Sequence, residues 1–193
     1  MFAASHIVFV DSTLPKLSAL LAGLPSDVQV HVLPADRDGM GFMAQTLIGR
    51  SGIETLHLLC HGSPGQLHLG SITLGWTDLT GYAAVIDMLS DTMLEDGQWL
   101  IYGCDVATGP EGRRFVQALR LMSGLEVAAA SHKVGAVALG GNWTLDFAPP
   151  QLRRTLAVPQ WPGVLFARVP CLIPTIRLLA QRGSGSLNLH GTA

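Results

Sequence analysis

The sequence is poor in charged residues, and that shortage excludes one class of function. Charged side chains make up 13% of the chain, against roughly 25% in a typical domain. The lysines are Lys16 and Lys133 alone, and the net charge is -2. No basic stripe exists to neutralise phosphates, so we expect no binding of nucleic acid. A surface with so little charge favours packing against another protein or a larger parent chain.

Cysteine is also scarce, with Cys60, Cys104 and Cys171 in 193 residues. Three cysteines cannot form a disulfide framework, and no CxxC or paired Cys/His spacing occurs. We therefore expect no metal and no cofactor. The motifs GxSxG and GxGxxG are missing as well, so serine hydrolase and dinucleotide-binding functions lack support.

Long uninterrupted apolar runs are absent. Residues 156–180 are apolar on average, but prolines and arginines interrupt them, so no membrane span is expected. The amino terminus has no basic region followed by a cleavage site, which predicts a soluble protein without a signal peptide. Export by a route that needs no such signal stays open.

Strand and helix patterns alternate along the first 150 residues, which predicts an α/β fold with a mostly parallel sheet. Pro149 and Pro150 predict a boundary between a domain at 1–150 and a carboxyl-terminal extension at 151–193 that is irregular or flexible. The predicted strands are 6–10, 28–33, 54–60, 98–102, 125–130 and 142–147. The first predicted helix is capped by Ser12 or Thr13 and ends at Gly23, and the others lie near 40–48, 78–89 and 111–122.

Residues 66–74 alternate between polar and apolar side chains around Gly70 and Ser71. This pattern predicts a β-hairpin, inserted after the third strand.

Two reactive side chains follow neighbouring predicted strands. His61 comes after the third strand and Cys104 after the fourth. Ligands of an open parallel sheet bind beyond the carboxyl ends of its strands, and adjacent strands lie roughly 4.8 Å apart. If the two strands are neighbours, the imidazole can take the thiol proton and produce the nucleophilic thiolate. We expect the amides of Gly62 and Cys104 to be oxyanion donors.

These and nearby residues also have simpler possible roles. One histidine or one cysteine at a strand end is by default a packing residue, but the pair in this order favours a catalytic site. His57 and Cys60 are expected in the core. His132 follows the fifth strand, where it either joins the site or is an ordinary polar loop residue. A zinc site formed by His61, Cys104 and His132 is disfavoured, because paired ligand spacing is missing.

An apolar run ending in His-Gly, followed later by an apolar run ending in Gly-Cys, is the order found in caspase-like cysteine peptidases. Five further stretches carry a closer resemblance: Ile7 to Ser12, Arg50 to Gly52, His61 to Gly65, Tyr102 to Ala107 and Ala138 to Trp143. With these, over about residues 5–150, the chain resembles the bacterial domain-of-unknown-function family 4347. That resemblance implies a caspase-like three-layer α/β/α sandwich, often at the amino terminus of very large exported or adhesin-like proteins. The family carries no settled function.

The resemblance to caspase-like peptidases also bears on three substrate-binding candidates, Asp11, Asp105 and His132. Relatives selective for basic residues, such as metacaspases, carry an acidic residue at the place of Asp11, which implies selectivity for Arg or Lys. The alternative is that Asp11 caps the following helix. Those relatives place a second acid where this chain has Tyr102. Asp105 either replaces that acid or starts the next turn.

The sequence therefore predicts a cysteine endopeptidase with His61 as base and Cys104 as nucleophile. Its substrate would be a peptide or protein, such as its own parent chain or a co-exported protein. One alternative is a non-catalytic adaptor that binds a partner through the same cleft. Another is an inactive precursor that must be cut near residues 150–160 before its tail releases the cleft.

Overall fold

A parallel sheet of five strands forms the centre of the computed structural model, which describes residues 5–166. The strands are β1 (His6–Asp11), β2 (Gln29–Leu33), β3 (Ile53–Leu59), β4 (His61–Ser63), β5 (Gln66–Leu69), β6 (Ile72–Gly75), β7 (Met93–Tyr102) and β8 (Glu126–Ala129). The order in the central sheet is β2-β1-β3-β7-β8, and every pairing within it is parallel. The α/β class with a mostly parallel sheet is confirmed.

Helices flank this sheet. The α-helices are α1 (Leu17–Ala22), α2 (Gly39–Leu47), α3 (Ala83–Asp91) and α4 (Gly109–Ser123), and short 3₁₀ helices cover Trp76–Tyr82 and Val137–Leu139. The last three α-helices supply one apolar cluster, and α1 with the chain after β8 supplies the other. Within residues 5–166 no helix is long and apolar enough to cross a membrane.

The central strands are apolar on both sides because both faces of the sheet are covered. In β1, Ile7 and Phe9 belong to the first cluster, whereas Val8 and Val10 belong to the second. Successive side chains of a strand point to opposite faces of the sheet. The alternate residues of this unbroken apolar run therefore pack into two different clusters.

The predicted hairpin is present as β5 and β6, with Gly70 at the turn. Gly70 has φ 61°, and a Cβ there would lie 2.2 Å from the Arg37 carbonyl oxygen, so only glycine fits. The strand β4 adds a third antiparallel strand to this hairpin. The sequence pattern did not predict β4.

The predicted strand at 142–147 is wrong. The segment makes two single bridges instead, Val134 to Asn142 and Ala129 to Phe147. The carboxylate of Asp146 accepts the backbone N–H of Ser131 at 2.7 Å. That side-chain bond replaces the next ladder bond, so pairing with β8 cannot continue.

Residues 151–166 contain no helix or strand, yet they pack closely against the second face of the sheet. Leu156 donates its N–H to the Tyr102 hydroxyl at 2.7 Å, and the Trp161 indole N–H donates to the Pro15 carbonyl at 3.1 Å. The packing thus runs past Pro150. The domain boundary stays a prediction, and residues 167–193 of the predicted tail, including Cys171, lie outside the described residues. The buried side chains of this segment are Leu156, Val158, Trp161 and Leu165.

Candidate active site

The two predicted strand ends meet at one edge of the sheet. The strands β3 and β7 are hydrogen-bonded neighbours, with Leu59 opposite Tyr102. Just beyond them, the Cys60 N–H donates to the Tyr102 carbonyl at 3.2 Å. His61 and Cys104 each follow these paired residues by two positions, so the predicted adjacency of the two strands is confirmed.

The backbones of the two motifs press against each other. A Cβ on Gly62 would lie 2.8 Å from the Cys104 carbonyl oxygen and 2.6 Å from a methyl carbon of Val106. A Cβ on Gly103 would lie 3.3 Å from the Gly62 Cα and 2.9 Å from the same methyl. Glycine is needed at residue 62 because the adjacent segment at residues 103–106 fills the space that a side chain would occupy.

The Cys104 thiol is buried beneath a loop. Its sulfur accepts the Val134 N–H at 3.2 Å and lies 3.7 Å from the Val134 carbonyl, to which it can donate. Burial raises the pKa of Cys104 to about 11, although the Val134 hydrogen bond acts in the opposite direction. In this conformation the thiol is therefore protonated at neutral pH.

His61 lies beside an open cleft of about 900 Å³. It is half-buried, and its Nδ1 has no hydrogen-bond partner among the described residues. In the β4–β5 pair it stands opposite His68, which lines the same cleft. Burial lowers the pKa of His68, and the neighbouring His61 lowers it further, so a neutral ring at this position is favoured.

The two expected oxyanion donors converge on one acceptor. The Gly62 N–H donates to the Leu165 carbonyl oxygen at 3.2 Å, and the Cys104 N–H donates to the same oxygen at 3.3 Å. Two amides aimed at one carbonyl form the arrangement that stabilises the tetrahedral intermediate of acyl transfer.

The segment that supplies this carbonyl lies along the cleft and pairs with residues 134–136. Leu165 donates its N–H to the Val134 carbonyl at 2.9 Å, and Ala136 donates its N–H to the Gly163 carbonyl at 2.8 Å. Gly135 and Val164 form an isolated antiparallel bridge between these two bonds. Although too short to count as a strand, this backbone pairing is of the kind by which many proteins bind peptides.

Asp11 lies near the site, but its carboxylate is occupied by the fold. It is fully buried, accepts the Gly70 N–H at 2.6 Å and the Thr13 N–H at 2.8 Å, and also accepts the Thr13 hydroxyl. The alternative that Asp11 caps the next helix is wrong, because α1 begins after Lys16 and has no side-chain cap. Selectivity for basic residues stays a prediction.

Asp105 and His132 are joined by a backbone hydrogen bond. The Asp105 N–H donates to the His132 carbonyl at 3.0 Å, and the Asp105 carbonyl accepts the Thr108 N–H at 2.9 Å. Asp105 has φ 61°, which places a strained turn directly after Cys104. The His132 ring contacts the Thr144 hydroxyl at 3.2 Å and lies 3.6 Å from the Asp146 carboxylate. Neither residue lines the cleft beside His61, and their substrate-binding roles stay predictions.

His57 and Cys60 belong to the core. His57 hydrogen-bonds Thr55 at 2.9 Å and stacks on Tyr102 with 6.0 Å between ring centres. Burial lowers the pKa of His57 to about 3. Cys60 lies in the apolar cluster opposite that of Cys104, and burial raises its pKa.

Among residues 5–166, no group of three or more His, Cys, Asp or Glu side chains is arranged to hold a metal ion. The three residues weighed for zinc do not form such a group, since the His132 ring is held by the loop that carries Thr144 and Asp146.

Sequence reasoning missed two residues of the site, His68 and Leu165. The hairpin alternation could have indicated His68, because it shares the face of His61 across the β4–β5 pair. No periodicity marks Leu165, which lies in an irregular segment and is placed by its hydrogen bonds alone.

Comparison with known proteins identifies the family of this chain. No significant match is found among curated proteins. Among solved structures, the chain is similar to caspase-1 from Spodoptera frugiperda, with 20% identity and a TM-score of 0.30. That similarity covers 52% of this chain and 47% of the caspase chain. The model of the family described as "Domain of unknown function (DUF4347)" matches residues 7–164, and the chain belongs to that family.

Proposed function

We propose that this chain is a caspase-like cysteine endopeptidase domain, with Cys104 as nucleophile and His61 as general base. One observation carries the proposal: the amides of Gly62 and Cys104 converge on a single carbonyl oxygen, that of Leu165. The motif order His-Gly and Gly-Cys, which caspase-like peptidases share, supports the same assignment.

The chemistry follows from this arrangement. The Cys104 thiolate attacks the carbonyl carbon of a bound peptide, and the two N–H groups stabilise the negative oxygen that forms. His61 takes the thiol proton and delivers it to the leaving amine. Water then hydrolyses the thioester, and the thiol is restored.

The buried thiol implies that the resting state is latent. With its pKa raised to about 11 by burial, Cys104 is almost entirely protonated near pH 7. Displacing residues 163–166 would admit water and lower that pKa toward the ordinary value. We therefore expect activity on any other peptide to require opening of this segment.

A non-catalytic adaptor is the second candidate, and one observation favours it. The edge at residues 134–136 already holds an extended chain through backbone bonds from Leu165 and to Gly163. Main-chain bonds of this kind bind peptides without any chemistry. In either case the expected partner is a peptide or protein, such as a larger exported or adhesin-like parent chain.

Labelling of Cys104 by an electrophilic peptide probe separates these functions. The test protein is Leu165→Asp, because an unpaired carboxylate in the apolar pocket should expel the segment. The matched control is Phe166→Asp, which adds the same charge at a residue that is 41% exposed. We expect fast labelling of Cys104 in Leu165→Asp, slow labelling in the control, and at least about 100-fold slower labelling when His61→Ala is added.

A second variant that displaces residues 163–166 is needed in case Leu165→Asp does not fold. Ala136→Pro removes the N–H that holds Gly163, and Ala136 has φ -61°, which proline adopts without strain. Both variants are checked for folding by circular dichroism. If Cys104 stays inert in the folded, opened variants while they still bind peptides, the adaptor function replaces the peptidase.

A further inference from the structure

Residues 163–166 lie in the cleft as a substrate would, and the chain itself supplies them. We propose that the bond between Leu165 and Phe166 is an intramolecular cleavage site for Cys104. This inference rests on the proposed peptidase function and adds to it the scissile bond and the preferred side chain.

The carbonyl that would be attacked is already in the oxyanion position. The Leu165 oxygen receives two N–H groups, from Gly62 at 3.2 Å and from Cys104 at 3.3 Å. The residue whose carbonyl occupies this position is, by the chemistry of acyl transfer, the residue before the scissile bond. The register of the segment thus selects the bond after Leu165.

The backbone on the acyl side is fixed at two further points. The Leu165 N–H donates to Val134 at 2.9 Å, and the Gly163 carbonyl accepts from Ala136 at 2.8 Å. Val134 also contacts the Cys104 sulfur through both its N–H and its carbonyl. The same residue therefore aligns the nucleophile and the residue before the bond, which is the positioning that accelerates an intramolecular reaction.

The side chains on either side of the bond differ in environment. Leu165 is fully buried in the apolar cluster of this face, whereas Phe166 is 41% exposed and lines the open cleft with His61. A buried apolar pocket on the acyl side selects an apolar residue. The open side lets the new amine leave next to the histidine that would protonate it.

The reaction balances without any further reactant except water. A bond forms between the Cys104 sulfur and the Leu165 carbonyl carbon, and the bond from that carbon to the Phe166 nitrogen breaks. The thiol proton passes through His61 to that nitrogen, which leaves as an amine. Water then adds hydroxide to the acyl carbon and a proton to the sulfur, giving a Leu165 carboxylate and a free thiol.

The experiment follows the full-length purified protein by intact mass and peptide mapping between pH 7 and pH 10. We expect a new carboxyl terminus at Leu165 and a new amino terminus at Phe166. The rate should be independent of protein concentration, because the bond and the nucleophile share one chain. It should rise with pH, because the thiol becomes ionised.

Four variants serve as controls. Cys104→Ala should abolish the cut, and His61→Ala should slow it at least about 100-fold. Phe166→Pro should block the cut by replacing the leaving amide, whereas Gln160→Ala, at an exposed residue outside the site, should be cut like the wild type. Should a variant misfold, a synthetic peptide of residues 159–170 is offered to Leu165→Asp, and a cut after its leucine is expected.

Failure of the cleavage site can be distinguished from failure of the peptidase function. If the probe labels Cys104 in Leu165→Asp but neither the intact chain nor the peptide is cut after the leucine, the cleavage site is wrong and the peptidase function stands. If Cys104 is neither labelled nor required for any cut, both proposals are wrong. A cut that persists in Cys104→Ala likewise overturns the site.

Discussion

Single residues at the site are constrained by space and by burial more than by charge. Gly62 leaves no room for a methyl group, and Cys104 is sealed against Val134. His57, deeper in β3, is neutral because burial opposes its protonation. The stability effects expected at these residues therefore come from packing and desolvation.

Replacing Gly62 by alanine should damage both stability and the site. The new Cβ would meet the Cys104 carbonyl at 2.8 Å, so the two motifs must move apart, at a cost of about 1–3 kcal/mol. Urea denaturation measures the loss, with Gly81→Ala as control, because a Cβ at the exposed Gly81 meets nothing within 4 Å. Equal stability of the two variants would contradict the close approach.

His57 should make the protein less stable in acid. The unfolded chain binds a proton at this residue near pH 6.5, whereas the folded protein does so only near pH 3. Its contribution to stability is therefore complete above pH 6.5 and is lost as the pH falls toward 3. The free energy of unfolding of His57→Gln, measured over this range, should fall less steeply than that of the wild type. Parallel curves would show that His57 is not responsible.

At the scale of elements, the hairpin is held in place by a side chain from the sheet. Asp11, the last residue of β1, accepts the N–H of Gly70 at the turn between β5 and β6. Near the same turn, His61 of β4 pairs with His68, two residues before Gly70. The sequence predicted the hairpin from its alternation and turn residues, but it could not predict the tether, because that bond joins residues 59 positions apart.

Loss of the Asp11 carboxylate should loosen the hairpin. In Asp11→Ala the partly buried Gly70 N–H loses its acceptor, which should cost about 1–3 kcal/mol. Denaturation and hydrogen exchange of the Gly70 amide provide the measurement, with Asp36→Ala, at an exposed loop residue, as control. If Gly70 stays protected while cleavage next to basic residues is lost, Asp11 is a specificity residue instead.

Across the whole molecule, the two faces of the sheet are covered in different ways. Three α-helices with clear apolar periodicity cover one face, and their positions followed from the sequence. The other face is covered by α1 and by the irregular chain after β8, including Trp161 and Leu165. That covering is specified by individual buried side chains and backbone bonds, which leave no repeating pattern to detect.

A chain that ends at residue 150 should not fold cooperatively. It lacks four buried apolar side chains of the second face, each of which contributes roughly 1.5–3 kcal/mol, and their sum is comparable with the stability of a whole domain. A chain of residues 1–166 should unfold in one transition on heating. A cooperative transition of residues 1–150 at a similar temperature would support the boundary at Pro150.

One carbonyl, that of Leu165, is shared by the amides of the two motifs and underlies both proposals. Hydrogen exchange at the Gly62 and Cys104 amides tests this directly in the wild type, Leu165→Asp and Phe166→Asp. We predict that both amides are protected in the wild type and in Phe166→Asp, and that both lose protection together in a folded Leu165→Asp. Protection that persists in Leu165→Asp, or that is lost at only one of the two amides, would contradict the account.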